Sequence, residues 1–260
     1  MFLEKHFYTL NNFYRKFTFW YYKQNKSTNF RIESFMPFRT YSKINKFIIQ
    51  ASKLTNNENY TFADFGCGLG MPTKEISKKF SKNKFIFVNI NKEQINFIKK
   101  TKNTYLLNED YHNTSISSNS VDTILFYESF CHSYDKKLAL NECYRVLKRN
   151  GRLIIIDYLH HDSATKEQIN SYVKTMSMYL ITKKQMETLI NKKKFKKIIF
   201  DTNINNYFKL KNSKYDDNYI YYKNKKNNSL VLSDFGEMIK DVALTQAFIA
   251  LPSIIVLEKI

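Results

Sequence analysis

Short apolar runs alternate with amphipathic stretches along most of the chain. Ahead of the first run, residues 1–24 carry aromatic side chains at mixed helical spacing, which predicts one or two helices. A further helix is expected at about 41–53 (YSKINKFIIQASK). The polar TNNENY then leads into a short strand, TFADFG, which breaks at its glycines. An amphipathic helix follows at about 72–80, with Pro72 near its first turn. FIFVNI reads as a second buried strand and KEQINFIKKT as a second helix. YLLNED and SVDTILFYES are strands, and KKLALNECYRVLK is a helix with apolar positions at Leu138, Leu140, Cys143, Val146 and Leu147. Asn150-Gly151 reads as the turn that ends this helix, and RLIIIDYL is a strongly apolar strand. Helices at about 165–178 and 183–192 precede a strand at FKKIIFDT. A Tyr/Asn/Lys-rich stretch at 205–228, a helix at about 234–248 and a last strand, SIIVLEK, complete the pattern.

Continuous apolar strands separated by amphipathic helices indicate a parallel sheet covered on both faces. The expected fold is α/β: a Rossmann-like, seven-stranded, mostly parallel sheet with helices on both faces. Residues 1–55 would form an N-terminal helical cap on a core spanning 56–260, with a helical lid at about 160–182 after strand five. No internal repeat divides the chain, so all of this reads as one globular unit.

Composition alters this picture in three ways. The 260 residues with 43% hydrophobic content are enough for one full core, and no run is long and apolar enough to span a membrane. The N-terminal segment MFLEKHFYTLNNFYRKFTFWYYK lacks a clean apolar stretch and a small-residue cleavage site, which argues against a secretory signal. A cytoplasmic protein is the expectation, with organellar targeting left open. The charge of +19 invites a polyanionic partner, nucleic acid or an anionic membrane surface. Lys, Asn, Ile, Phe and Tyr are abundant while Gly and Pro are scarce, as an AT-rich genome would produce, and the basic residues are spread out. The densest runs are NKKKFKK at 191–197 and KNKKNN at 223–228. A nucleic-acid partner is therefore the disfavoured alternative, and a small-molecule acceptor the favoured partner. Cys67, Cys131 and Cys143 form neither a CxxC pair nor a Cys/His ligand spacing, so no metal site and no disulfide framework are expected.

Gly66, Gly68 and Gly70 stand at the junction of the first strand and the helix after it. Glycine there lets the backbone bend sharply and approach a ligand closely. A dinucleotide loop reads G-x-G-x-x-G and sets a pyrophosphate on the helix N-terminus. This loop reads G-x-G-x-G, with Asp64 two residues before it. That form suits S-adenosylmethionine, which has no phosphate and whose ammonium wants an oxygen acceptor.

The stretch from Ser120-Val121-Asp122 through ILFYESFCHSYDKKLALNECYRVLKRNGRLIIID resembles class I S-adenosylmethionine-dependent methyltransferases. It is most like the small-molecule O- and C-methyltransferases that act on natural products and sterols. The family's pattern is met by Glu142, Arg145, Val146, Leu147, Lys148, Gly151 and Asp157, and the likeness extends from about 60 to 205. The resemblance implies that Asp64, Gly66, Cys67, Gly68 and Gly70 line the methionyl and ribose side of the cofactor. The residue after the second strand is usually acidic and grips the ribose; here it is Asn89, so that grip should be weaker or rearranged. Ile90 and Gln94 are adjacent candidates. Asp110 matches the Asp that accepts from the adenine amino group, with Tyr111 beside it and Tyr127 at the end of strand four. S-adenosylhomocysteine would be the product, and no metal is implied.

A hydroxyl acceptor needs a base, and His132 matches a family position used as one. Asp157, at the carboxyl end of strand five, could orient the imidazole or serve a structural role. His160 and His161 are second choices, and His112 reads as a surface loop residue. An alkene acceptor would instead pass through a cation stabilised by aromatic faces, from among Tyr14, Trp20, Tyr21, Tyr127, Tyr172 and Tyr179, with Glu128 as a further carboxylate. The lid position suggests Tyr172, Met176 and Tyr179 as substrate-pocket residues, and the aromatic N-terminal cap adds Tyr14 and Tyr21. Strand four ends Phe126-Tyr127-Glu128-Ser129, without the Asp/Asn-Pro-Pro-Tyr of amino methyltransferases, and Cys131 lacks the Pro that precedes a cytosine C5 nucleophile. An RNA methyltransferase and a methyltransferase-like scaffold without chemistry stand as the alternatives. The oligomeric state is open, a homodimer being one option.

Overall fold

A computed structural model describes the backbone of residues 2–25, 41–56, 59–204 and 249–260. The stretch at 205–228 and the helix expected at 234–248 lie outside the described residues. Helix α1 (Phe2–Asn25) and helix α2 (Tyr41–Ser52) precede the sheet. The rest alternates as β1 (Thr61–Phe65), α3 (Thr73–Lys79), β2 (Lys84–Val88), α4 (Lys92–Asn96), β3 (Thr104–Leu107) and β4 (Val121–Tyr127). After a 3₁₀ turn at Phe130–His132 come α5 (Lys136–Val146), β5 (Leu147–His160), α6 (Lys166–Met176), α7 (Lys183–Asn191), β6 (Phe195–Asp201) and β7 (Ala250–Lys259). The seven strands form one sheet in the order β3-β2-β1-β4-β5-β7-β6. β1 to β5 pair in parallel, while β7 runs antiparallel to both β5 and β6. The expected seven-stranded, mostly parallel α/β fold is what the chain adopts.

Side chains alternate across a strand, so each apolar strand feeds two layers. Phe62, Phe85, Phe87, Leu125, Ile154 and Ile156 pack with Ile44 and Ile48 of α2, Ile76 of α3 and Tyr172 and Met176 of α6. On the other face Phe65, Val88, Ile124, Phe126 and Ile155 meet Leu140 and Cys143 of α5 and Met186 and Ile190 of α7. Burying each such Phe or Ile stabilises by roughly 1.5–3 kcal/mol, which is why the layers dictate the register. Asp64 lies on the same strand face as Phe62, an acid set within an apolar layer.

Three expectations need correction. The helix expected over KEQINFIKKT is only Lys92–Asn96, because Ile95 and Ile98 are its buried anchors while Phe97 is exposed. Asn91 caps it by accepting from the Gln94 N–H at 2.9 Å. The helix over KKLALNECYRVLK stops at Val146, and Leu147 already pairs with Val121 in the sheet. Asn150-Gly151 is thus not a turn between helix and strand but a bulge inside β5, with the pairing resuming at Thr123 and Arg152. Asn150 takes φ +64° there, and a Cβ on Gly151 would stand 2.8 Å from the Lys148 carbonyl oxygen.

Candidate active site

A cavity runs along the carboxyl ends of β1, β2 and β4, where open α/β sheets bind ligands. Its floor is Gly66, Cys67, Gly68 and Leu69; Asn89, Ile90 and Gln94 form one wall, and Asp110, Tyr111 and His112 another. The far end is built by Tyr127, Glu128, Ser129, Cys131 and His132 after β4, by Tyr158, and by Met176 and Met178. The roof is α1. His6, Phe7, Leu10, Phe13 and Tyr14 recur at helical spacing and turn one face of α1 over the whole length of the cavity.

The glycine loop is shaped by its surroundings. Gly66 holds φ +75°, and a Cβ there would lie 2.6 Å from the Cβ of Ser129. Gly68 holds φ +54°, and a Cβ there would meet only the Gln94 Oε1 at 4.0 Å, so a side chain would grow into the cavity. The amide N–H groups of Gly66 and Cys67 both donate to the Val88 carbonyl, at 2.8 and 3.0 Å. The Ser129 hydroxyl donates to the Phe65 carbonyl at 2.6 Å, tying the β1 exit to the β4 exit.

Asn89 is buried, and its amide serves the loop. It donates to the Gly68 carbonyl at 3.2 Å and to Gln94 Oε1 at 3.1 Å, and its oxygen accepts from the Asn91 N–H at 3.3 Å. A carboxylate at this position could not donate to Gly68. Asp110 is equally engaged. Its Oδ1 accepts from the backbone N–H of His112 at 3.0 Å and from His112 Nδ1 at 2.6 Å, and its Oδ2 accepts from the Tyr134 hydroxyl at 2.9 Å. Burial would raise this carboxyl, but the His112 and Tyr134 hydrogen bonds hold it below the usual carboxylate range. One lone pair of Oδ2 is left to accept a further donor in the cavity. The loop that carries Asp110 is itself held by the Glu142–Arg145 pair. Glu142 Oε1 accepts from the N–H and the hydroxyl of Thr114, at 2.8 and 2.7 Å, and Arg145 bridges Glu142 to the Thr114 carbonyl.

Asp64 does not line the cavity but lies beneath the loop, 1% exposed, and its Oδ2 has no hydrogen-bond partner among the described residues. Burial pushes its carboxyl up to about 7. The Thr73 side chain offsets this only in part, so the acid is costly to hold ionised unless a further donor or cation approaches. The cradle at Gly68 and the remaining acceptor position at Asp110, with the Asp64 carboxyl buried beneath the loop, fit a ligand with amines and no phosphate, as in S-adenosylmethionine.

His132 is buried at the far end of the cavity. Its Nδ1 lies 3.3 Å from the Ser177 carbonyl, which can only accept, so Nδ1 carries the proton. Nε2 is left to accept from the Tyr14 hydroxyl at 2.5 Å. Burial, and after it the Lys136 ammonium and His6, lower the imidazole to about 4. Asp157 does not reach His132. Its Oδ2 accepts from the Cys131 N–H at 3.0 Å and its Oδ1 from the Tyr158 N–H at 2.8 Å. The expected His132–Asp157 pair is therefore replaced by His132–Tyr14, with Asp157 acting on the turn's backbone.

Other expectations divide. Glu128 lines the cavity with φ +49°, a left-handed conformation at the end of β4. Tyr14 and Met176 line it, whereas Gly70, Tyr172 and Tyr179 do not. Tyr172 faces the apolar layer under the sheet. Tyr179 holds the roof instead, its hydroxyl 3.1 Å from His6 Nδ1. The side chains of Trp20 and Tyr21 lie outside the described residues. His112 is not a surface residue: it is buried, bonded to Asp110 and to the Ser133 hydroxyl at 2.8 Å, and its ring lies 3.9 Å from the Tyr134 ring at a tilt of 30°. His160 is buried against the His161 carbonyl and His161 is exposed, and neither lines the cavity. The sequence reading missed Leu10 and Phe13 on α1, Tyr158 and Met178. Helical spacing of aromatics at the N-terminus was the one available signal for the first two.

Strand order, glycine turn and cavity together define the class I methyltransferase fold. Residues 63–155 match the family described as a methyltransferase domain, and this stretch is similar to S-adenosylmethionine-dependent methyltransferases of that class. Among solved structures, geranyl diphosphate C-methyltransferase from Streptomyces coelicolor A3(2), in complex with Mg2+, geranyl diphosphate and S-adenosyl-L-homocysteine, is similar with a TM-score of 0.64 at 14% identity. The match covers 84% of this chain and 77% of that one. Haemonchus contortus phosphoethanolamine N-methyltransferase 2 gives a TM-score of 0.68 at 17% identity, covering 84% of this chain and 53% of that one. The (4+2)-cyclase SpnF gives 0.66 at 11% identity, covering 84% and 80%. At such identities the likeness concerns the fold, and the cyclase illustrates that the fold hosts more than one chemistry. No curated protein matches the sequence. Among the described residues no helix is long and apolar enough to cross a membrane, and no cluster of side chains could hold a metal ion.

Proposed function

We propose that the protein transfers the methyl group of S-adenosylmethionine to an oxygen or carbon of a small metabolite held beneath α1. The observation that carries this reading is the continuity of one cavity from the Gly66–Leu69 floor to the Tyr14–His132 pair. The cofactor supplies a methyl group already activated on a sulfonium. What the chain must add is alignment, exclusion of water and somewhere for a proton to go. Asp110 would accept from the adenine amino group and Asp64 would balance the methionyl ammonium. Asn89, spent on the loop, leaves the ribose to be met through its remaining oxygen lone pair and through Gln94.

At the far end, Tyr14 stands between the cavity and His132. An acceptor hydroxyl would release its proton to the Tyr14 oxygen as the Tyr14 proton moves to Nε2. An imidazole lowered to about 4 is neutral at pH 7 and holds an added proton weakly. The dyad therefore suits acidic acceptors, a phenol or an enol, better than an aliphatic alcohol. The lining of Leu10, Phe13, Tyr127, Tyr158, Met176 and Met178 favours an apolar acceptor body.

An RNA acceptor is less favoured. The exposed Lys192, Lys194, Lys196 and Lys197 surround the start of β6, where Phe195 pairs with Lys259. That is the edge of the sheet opposite the cavity. The test is to measure S-adenosylmethionine and S-adenosylhomocysteine binding by calorimetry, then to follow labelled methyl groups into metabolite extract and into total RNA. Label in the small-molecule fraction supports the reading; no cofactor binding, or label in RNA alone, refutes it.

A further inference from the structure

The 3₁₀ turn Phe130–His132 is gripped from two sides by opposite charges. Lys136, in the first turn of α5, folds back so that its ammonium donates to three carbonyls: Phe130 at 2.6 Å, Cys131 at 3.2 Å and Ser133 at 2.9 Å. The same nitrogen lies 5.0 Å over the Phe130 ring. From β5, the Asp157 carboxylate holds the Cys131 N–H. Neither side chain touches the imidazole, and neither lines the cavity. A buried ammonium is costly even when its three hydrogens are matched, and a methionine of similar length would fill the space without that cost. Its presence calls for a role that a methionine would not fill.

We propose that Lys136 is a positioning residue for His132 and, through it, for Tyr14, with Asp157 as its counter-charge. This rests on the reading that Tyr14 and His132 handle the acceptor's proton. The ammonium fixes the carbonyls on both sides of His132, so the turn that carries the ring cannot shift without breaking a charge-assisted hydrogen bond. It also places a positive charge in the wall behind the ring. The groups facing the imidazole are Tyr14 and His6 from α1, Lys136 from α5, and the carbonyls of Met176 and Ser177 after α6. Burial comes first and the Lys136 ammonium second in disfavouring a protonated ring, while the carbonyls favour it; His6, itself lowered to about 4, is neutral near pH 7. Lys136 itself is brought down to about 8 by burial, opposed by Asp157, and so remains cationic at pH 7.

The test is a histidine titration, with each of the five rings followed by NMR in ring-labelled protein. His132 is assigned by the signal missing from His132→Asn. In the wild type it stays neutral from pH 8 to pH 5. In Lys136→Met its titration, followed down to the acid limit of folding, should move upward from the wild-type position, while S-adenosylmethionine affinity changes by less than about threefold. Methyl incorporation at saturating cofactor should fall at least tenfold, with KM for the cofactor little changed. Asp157→Asn removes the carboxylate and lets the Lys136 ammonium lose its proton more readily, so the comparison is made from about pH 6 downwards, where Lys136 stays cationic and His132 should still not titrate above pH 5. It also keeps the proposal testable should Lys136→Met fail to fold. A His132 titration and a turnover both unmoved in Lys136→Met, or a His132 that titrates above pH 5 in Asp157→Asn, would overturn the proposal. The titration needs neither cofactor nor acceptor. A protein that binds no S-adenosylmethionine would thus defeat the proposed function while leaving this inference to stand or fall on its own signal.

Discussion

Replacing Asp64 by Asn should make the unliganded protein more stable at pH 8 and less stable at pH 4. The carboxyl is fully buried in β1 and its proton affinity is raised from 3.8 to about 7 by desolvation. In the unfolded chain the same group ionises above about pH 4. Between these values the unfolded state has lost a proton that the folded state still holds, so stability falls as pH rises from about 4 to about 7 and then levels off. At roughly 1.4 kcal/mol per pH unit, the window costs about 4 kcal/mol. Asn does not titrate, but it brings an NH₂ group into a site with few acceptors, at roughly 1–3 kcal/mol. That second cost is independent of pH. The measurable quantity is therefore the change in the mutant's ΔΔG between pH 4 and pH 8, expected at about 3–4 kcal/mol in the mutant's favour. Urea unfolding of both proteins at the two pH values gives it directly. A change below about 1 kcal/mol would mean that Asp64 is not held protonated by burial, and the reading of its orphaned oxygen would be wrong. Saturating S-adenosylmethionine should shrink the difference, because a cofactor ammonium seated above the loop favours the ionised acid beneath it, and Asp64→Asn should bind the cofactor more weakly.

Gly68→Arg should abolish cofactor binding by calorimetry while leaving the unfolding midpoint within a few degrees, since its side chain would enter the cavity rather than the core; retained binding would place the cofactor elsewhere. For His132 the sign is opposite to that of Asp64. Its folded value lies near 4, below the unfolded 6.5, so its stabilising contribution is complete above pH 6.5 and is lost as pH falls towards 4. That loss is about 3 kcal/mol, and His132→Asn should flatten the stability profile over this window by a comparable amount in urea titrations. Arg145→Met leaves Glu142 buried with Thr114 alone and frees the loop that carries Asp110. A destabilisation of about 2–4 kcal/mol is expected, together with weaker cofactor binding, and an unchanged cofactor affinity would separate that network from the site.

The sheet was legible because its strands are continuous apolar runs, and the floor of the cavity because glycine at a strand-to-helix junction has few other uses. Glu142 and Arg145 were recognisable as a pattern, yet their task, fixing the Thr114 loop and hence Asp110, appears only once α5 is packed beside it. The roof was harder. Tyr14 and His132 are 118 residues apart, and no local spacing brings them together. Asp157 looked like a partner for the imidazole because both stand at carboxyl ends of strands. The chain instead turns back at Ser129, and the acid meets the Cys131 N–H before it can meet the ring.

Asn89 marks the limit most sharply. Read against an acid that grips a ribose, it looks like a loss. In the fold its amide donates to the Gly68 carbonyl and to Gln94, two oxygens that a carboxylate would repel. The residue thus holds the floor of the cavity in shape. Its difference from the family pattern has a structural task of its own, and gives no support to a protein that has lost its site.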